Sequence, residues 1–371
     1  MKMKSEIKTG LVFGIVIILG IGILSVVFST LDQEVQTTDI SSDKNDITKI
    51  DKSGFKQAPE LVGIADYLNT TPEELSKEIE GKVVLYDIWT YSCINCIRTL
   101  PFITSWDDKY SDQGLLIIGI HSPEFEFEKD VENVKIAAAK HGIQYPVVLD
   151  NDKETWDAFE NRYWPRKYIA DHEGFIRYDH IGEGKYQETE KVIQNLLKER
   201  ADAIGMQVKV EEKLVEIDEF EHSWMRSPEL YFGYYFAQNR NHLGNEEGFR
   251  PNQDVTYSIP EQGQRHNFYM DGTWTNLKDG MKLVSDTGAI LLPYSGKEVN
   301  IVAAGQAELT IKIDGKIISP HIAGKDVGEN GTVSVSESGL YNIVQTESSE
   351  EHTIEILVED PGFEIFTFTF G

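Results

Sequence analysis

The chain has 371 residues, of which 62 are acidic and 35 basic, so its formal net charge at pH 7 is −27. Nucleic acids and anionic lipid surfaces would repel so acidic a protein, which argues against both as partners. The length exceeds what one hydrophobic core usually serves, so we expect two folded domains.

The N-terminal part has the pattern of a membrane anchor. Residues 10–29 are apolar and uncharged, residues 1–9 carry lysines, and an acidic tract follows. A helix of this length comes close to the roughly 30 Å of a hydrocarbon core. The lysines place the short N-terminus in the cytoplasm, so we expect the rest of the chain on the extracytoplasmic face of the cell membrane. A cleaved signal peptide ending near Ser29 is the alternative and gives the same side.

Residues 30–57 are rich in serine, threonine, aspartate and lysine and show no apolar periodicity, which predicts a disordered tether. Strand and helix patterns then alternate over residues 58–205, which is typical of an α/β sheet covered on both faces. The predicted strands are 83–88, 115–120, 145–149, 167–170 and 175–181. The predicted helices are a short one opened by Thr71, then 93–110, 129–141, 153–161 and 185–203.

The two cysteines of the chain, Cys93 and Cys96, directly follow the apolar strand 83–88 and open the helix predicted over 93–110. The partial positive charge at a helix N-terminus favours a thiolate, so Cys93 is the candidate nucleophile. Cys96 follows one helical turn later, where it can close an intramolecular disulfide that releases a bound partner. The spacing therefore predicts thiol–disulfide chemistry.

Two other interpretations of the cysteine pair are open. A structural zinc site needs four ligands, and histidines from elsewhere in the chain would have to supply the rest. A purely structural disulfide would close a loop so short that it would add little stability.

From about residue 215 the pattern changes to short β segments separated by glycine, asparagine, aspartate and proline, and we expect an all-β sandwich, jelly-roll-like, over residues 215–371. The predicted strands are 230–236, 255–259, 288–292, 298–303, 307–313, 331–335, 339–345, 352–358 and 365–370. Its aromatic residues either stack on a sugar or belong to the core: Trp224, Tyr231, Tyr234, Tyr269 and Trp274. Its turns contain acids that a calcium ion could use, although such turns commonly hold no metal: Asp271, Asp279 and Asp286.

The run from residue 84 to residue 101, with Trp-Thr-Tyr-Ser-Cys-Ile-Asn-Cys at 89–96, resembles the active-site segment of thioredoxin-fold proteins of the TlpA group. It is most similar to the soluble part of DipZ-type cytochrome c biogenesis proteins. The stretches 119–125 and 161–165 strengthen this resemblance. The region after residue 227 looks like the β-sandwich, similar in shape to carbohydrate-binding modules, that follows the thioredoxin domain in DipZ-like proteins.

The resemblance implies roles for five further residues. Asp87 matches the buried acid beneath the disulfide, where it would accept or deliver the proton of Cys96. Pro165 matches the cis-proline loop, in which the backbone of Trp164 would dock an incoming peptide. Trp89 would pack beside the cysteines and contribute to docking. Glu124 either tunes their acidity or is a solvated loop acid.

The expected function is that of a thiol–disulfide oxidoreductase whose substrates are protein thiols and disulfides, with no metal and no cofactor besides the Cys93–Cys96 disulfide. DipZ-like proteins are fused to a multi-span module that supplies electrons, whereas this chain has one apolar run, so we expect a separate membrane or soluble electron donor or acceptor. Two alternatives are a redoxin-type peroxidase and a surface module that binds a glycan or a partner on a thioredoxin scaffold.

Overall fold

A computed structural model describes residues 51–206, 210–237, 240 and 242–371. The predicted membrane span at 10–29 and most of the predicted tether lie outside these residues. Within the described part of the chain, no helix is both long and apolar enough to cross a bilayer.

The first sheet has six strands, and its central strand leads to the cysteines. The strands are β1 (Asp66–Leu68), β2 (Val83–Trp89), β3 (Leu115–His121), β4 (Val147–Leu149), β5 (Arg166–Ala170) and β6 (Ile176–Ile181). Their order is β1-β4-β3-β2-β5-β6. Strand β2 runs parallel to β3 and antiparallel to β5. Every residue of β2 is buried, because helices cover both faces of such a sheet.

Five α-helices accompany this sheet: α1 (Pro72–Glu78), α2 (Ile94–Tyr110), α3 (Val131–Lys140), α4 (Glu154–Ala158) and α5 (Tyr186–Ala203). Helix α3 begins two residues later than predicted, because the side chain of Asp130 accepts a hydrogen bond from the Glu132 amide at 2.9 Å and caps the helix there. Strand β4 begins after Pro146, which has no amide hydrogen to donate to a neighbouring strand.

The second sheet contains the remaining ten strands: β7 (Leu230–Tyr231), β8 (Asp254–Tyr257), β9 (Tyr269–Asn276), β10 (Met281–Leu283), β11 (Gly288–Ala304), β12 (Ala307–Ile313), β13 (Lys316–Ile317), β14 (Thr332–Val335), β15 (Gly339–Val358) and β16 (Glu364–Phe370). The prediction that the C-terminal region is all-β is confirmed.

The predicted strands differ from the observed ones where the backbone departs from a simple alternation. The segments predicted at 288–292 and 298–303 are two parts of β11, joined across a register shift between Gly296 and Glu298. Likewise, 339–345 and 352–358 are two parts of β15. Strand β9 escaped prediction because Asp271 and Gly272, the latter with φ of +88°, interrupt its apolar pattern.

The aromatic residues considered for sugar stacking divide by burial. Tyr231, Tyr269 and Trp274 are buried at 6%, 3% and 0% exposure and belong to the interior, whereas Trp224 is fully exposed. Among the residues that the structure describes, no group of three or more His, Cys, Asp or Glu side chains is placed to hold a metal ion.

The second sheet contacts the first region near the cysteines, on helix α2 and on the segment between β3 and α3. On helix α2, Arg98 forms an ion pair with Glu298 of β11, and its guanidinium lies 3.4 Å from the centre of the Phe220 ring. On the segment between β3 and α3, Phe125 is buried in a cluster with Tyr231 and Phe366. These contacts place the β region against both helix α2 and the segment between β3 and α3.

Candidate redox-active site

Cys93 is the N-cap residue of helix α2, and Cys96 lies in its first turn. The Cys93 Sγ accepts a hydrogen bond from the Cys96 amide at 3.3 Å. Both cysteines are free thiols; Cys93 is partly exposed and Cys96 is buried. An incoming disulfide can therefore reach the first sulfur but not the second.

The two sulfurs also differ in their electrostatic surroundings. Burial raises the pKa of the Cys96 thiol well above its usual range, and the neighbouring Cys93 and Asp87 act in the same direction. Cys96 therefore keeps its proton at neutral pH until a base removes it.

Asp87 lies on β2 with 1% of its surface exposed. Burial raises its pKa to about 6, and the charge of Lys167 opposes this rise. One carboxyl oxygen, Oδ1, has no hydrogen-bond partner among the described residues. The side chain is thus a carboxyl group near Cys96 that can exchange a proton near neutral pH.

Lys167 lies directly opposite Asp87 in the register between β2 and β5 and is completely buried. Its Nζ donates to the carbonyl oxygen of Gly182 at 3.3 Å. Burial lowers the pKa of Lys167, while the charge of Asp87 opposes this effect. Lys167 was not among the site residues predicted from the sequence; the available signal was a lysine at the start of the predicted strand 167–170.

The predicted docking loop is next to the pair of strands that carry Asp87 and Lys167. The Trp164–Pro165 peptide bond is cis, as expected. Trp164 is partly exposed, and its Nε1 donates to the carbonyl oxygen of Ser122 at 2.9 Å. Trp89 is 0% exposed, and its side chain packs in the same buried cluster as Cys96. It offers no surface to a substrate, so the prediction that Trp89 contributes to docking is wrong.

Glu124 follows β3 and is not a solvated loop acid. Its Oε1 accepts a hydrogen bond from the Tyr231 hydroxyl of the second sheet at 2.8 Å. Burial, together with the charges of Glu229 and Glu128, raises the pKa of Glu124 to about 8.

Glu128 is a buried acid that sequence reasoning missed. It is 0% exposed, and one of its oxygens accepts a hydrogen bond from the Ser92 hydroxyl at 2.6 Å. Burial raises the pKa of Glu128, while the hydrogen bonds that it accepts oppose the rise. The surrounding sequence, Glu-Phe-Glu-Phe-Glu-Lys, reads as a solvated acidic run, so it gives no sign that this one carboxylate is buried.

Comparison with protein families divides the chain in two. Residues 55–197 match the Redoxin family, and residues 227–371 match the family described as thioredoxin like C-terminal domain. The expected thioredoxin-like fold of the first region is confirmed.

Two curated relatives and one solved structure are similar to all or part of the described chain. Protein DipZ of Mycobacterium tuberculosis is 34% identical over 318 residues, which are 85% of this chain and 43% of DipZ. This chain therefore spans less than half the length of that relative. Thiol-disulfide oxidoreductase YkuV of Bacillus subtilis is 36% identical over 143 residues, which are 38% of this chain and 94% of YkuV. A solved structure, that of a thioredoxin-like protein in the oxidized form, is 34% identical and covers 39% of this chain and 97% of its own, with a TM-score of 0.36. The chain belongs to the TlpA/DipZ-like family of thioredoxin-fold proteins.

Proposed function

We propose that this chain is a thiol–disulfide oxidoreductase that exchanges electrons with protein thiols and disulfides through Cys93 and Cys96. The asymmetry of the pair carries this proposal: a partly exposed sulfur caps helix α2, and a buried sulfur follows within one turn. This is the arrangement that a two-step exchange requires.

In the reducing direction, the Cys93 thiolate attacks one sulfur of a substrate disulfide. A mixed disulfide forms, and the second substrate sulfur leaves as a thiolate. Cys96 then loses its proton and attacks the Cys93 sulfur, which forms the Cys93–Cys96 disulfide and releases the substrate as a dithiol. Two electrons pass from the pair to the substrate, and the oxidising direction is the reverse of these steps.

Asp87 would receive the proton that Cys96 loses. Its raised pKa of about 6 places it close to ambient pH, where a carboxylate serves well as a base. The Cys96 thiol would otherwise keep its proton, because it is buried. Trp164 and Pro165 would hold the substrate segment against Cys93, with the exposed part of Trp164 as a contact surface.

We infer further that residues 58–205 and 215–371 are separate domains, and that the register shifts in β11 and β15 let the second sheet close into a jelly-roll-like sandwich. We also infer that residues 10–29 anchor the chain in the cell membrane with the cysteines outside. The apolar run and the preceding lysines support this topology.

Mixing the reduced protein with a disulfide-bonded substrate protein tests the proposed function. We expect the substrate to gain two thiols for each Cys93–Cys96 disulfide formed, measured by mass spectrometry after quenching with acid. Rapid consumption of added hydrogen peroxide without reduction of the substrate disulfide would instead identify a peroxidase.

Labelling of intact cells tests the proposed location. A thiol reagent that cannot cross the bilayer is expected to modify Cys93 in the reduced protein before the cells are broken. A cytoplasmic protein with known reactive thiols serves as the control for leakage. Labelling that appears only after lysis would place the cysteines on the inner side.

A further inference from the structure

Glu128 joins the loop that carries Cys93 to the segment between β3 and α3. Its Oε1 accepts hydrogen bonds from the Ser92 hydroxyl at 2.6 Å and from the Ser92 amide at 3.3 Å. Its Oε2 accepts from the amides of Glu124 at 2.6 Å and Phe125 at 2.9 Å. Each oxygen therefore accepts from two donors. A carboxylate can do this because both of its oxygens are acceptors.

The contact with Ser92 matters because Ser92 directly precedes Cys93, the N-cap residue of α2. Ser92 is itself buried, with 1% exposure, and Glu128 is completely buried. A buried carboxylate that accepts four hydrogen bonds holds its partners strongly, because a donor that lost this acceptor would be buried without water to replace it. Glu128 thereby fixes the backbone from which the nucleophilic sulfur is presented.

The same segment continues to the second sheet. Glu124, whose amide is bound by Glu128, has its own carboxyl group 2.8 Å from the Tyr231 hydroxyl. That hydroxyl also lies 3.2 Å from Glu229 Oε2. A phenol has one hydrogen to donate, so both contacts are hydrogen bonds only when one of the two carboxyl groups carries a proton.

Both acidic and basic side chains surround this series of contacts. Glu229 faces Glu124 across Tyr231, Lys153 lies close enough to act on both Glu124 and Glu128, and the Arg240 guanidinium lies 4.8 Å from the centre of the Tyr231 ring. These cations offset part of the negative charge without forming an ion pair to Glu128 within 4 Å in the described part of the chain.

We propose that Glu128 is a positioning residue of the redox site and that Tyr231 of the β region acts on the same loop through Glu124. Ser92, Glu128, Glu124 and Tyr231 form one continuous series of hydrogen bonds from the residue beside Cys93 to strand β7. This inference rests on the proposed function, and it gives the β region a part in that function: it completes the support of the active-site loop.

Glu128→Gln tests the first half. The amide group has the same shape but must turn an NH₂ toward two donors, so the loop loses its fixed position. We expect thiol–disulfide exchange to slow about tenfold, since misplacement of a reacting group has effects of this order or larger. We also expect the pH midpoint of Cys93 alkylation by iodoacetamide to shift, because the sulfur is no longer held in one position at the N-terminus of helix α2. Glu126→Gln, an exposed acid of the same turn, is the matched control and should match the unmodified protein in both measurements.

An unchanged alkylation midpoint together with normal exchange in Glu128→Gln would overturn the positioning role. A lower melting temperature with the midpoint and exchange rate unchanged would overturn it too, because that is the effect of a purely structural residue. If Glu128→Gln does not fold, Ser92→Ala removes the hydroxyl contact from the other side and is expected to slow exchange severalfold.

A double-mutant comparison tests the second half. Ser92→Ala and Tyr231→Phe change opposite ends of the series, and distant independent sites have effects that multiply. We expect the double variant to exchange no more slowly than the slower single variant. Tyr257→Phe removes a buried hydroxyl elsewhere in the second sheet. Its effect on the exchange rate should instead multiply with the effect of Ser92→Ala. Multiplying effects for Tyr231→Phe, or a normal rate in that single variant, would refute the link.

These results are separate from the fate of the proposed function. Alkylation of Cys93 needs no protein substrate, so the midpoint tests Glu128 even in a protein that exchanges with none. A protein without exchange activity but with the expected midpoint shift would refute the function and keep the positioning role.

Discussion

Cys93→Ser is expected to reduce thiol–disulfide exchange to the uncatalysed background, because a serine hydroxyl cannot form the mixed disulfide. Cys96→Ser should leave the first attack intact and block the second, so that covalent complexes between Cys93 and the substrate accumulate. Non-reducing electrophoresis and mass spectrometry distinguish the two results.

Each cysteine variant is the matched control for the other, since the substitution is the same and only the position in helix α2 differs. Full dithiol activity in Cys93→Ser would contradict the proposed mechanism. Equal trapping by both variants would contradict the division of roles between the accessible and the buried sulfur.

Asp87→Asn is expected to slow the attack by Cys96 by about a hundredfold, the lower end of what proton transfer by a side chain contributes. The first attack by Cys93 should change less. Stopped-flow measurement of mixed-disulfide formation and decay separates the two steps.

The same variant should be more stable at alkaline pH. The pKa of Asp87 rises on folding from 3.8 to about 6, so ionisation of the buried carboxyl group opposes folding. This cost is absent below the lower value, grows between the two and is complete above about 6, where it corresponds to about 3 kcal/mol. Asn has no such cost, so Asp87→Asn should gain about 3 kcal/mol in free energy of unfolding at about pH 8 and nothing at about pH 3.

Urea unfolding at both pH values measures this difference, with Asp108→Asn, an exposed acid on α2, as the control. A loss of stability that is equal at both pH values, with normal resolution of the mixed disulfide, would show that Asp87 has no role in proton transfer.

Several features of the site follow from local sequence. The strand before Cys93 is apolar apart from Asp87, and the helix after it begins one residue beyond Cys93, so the position of the first sulfur at a helix N-terminus was predictable. Burial of Asp87 was predictable for the same reason, since its neighbours on β2 are apolar.

Other residues could not be placed in this way. Lys167 is a lysine in a strand, and only the register with β2 brings it opposite Asp87. Trp89 is a strand-end aromatic that is equally compatible with a surface and with a core, and the packing of the first region buries it. Strands β11 and β15 each read as two short strands, because residues at a register shift leave the alternating pattern.

The amino-acid sequence alone places the proposed redox pair: Cys93 and Cys96 are three residues apart, and one helical turn brings two such residues together. The support of that pair depends on tertiary structure. Ser92 and Glu128 are 36 residues apart, and Glu124 and Tyr231 are 107 residues apart, so these contacts form only when distant segments of the chain have packed together. A short-range pattern records helix and strand periodicity, whereas a hydrogen bond between distant segments leaves no periodic trace in the sequence.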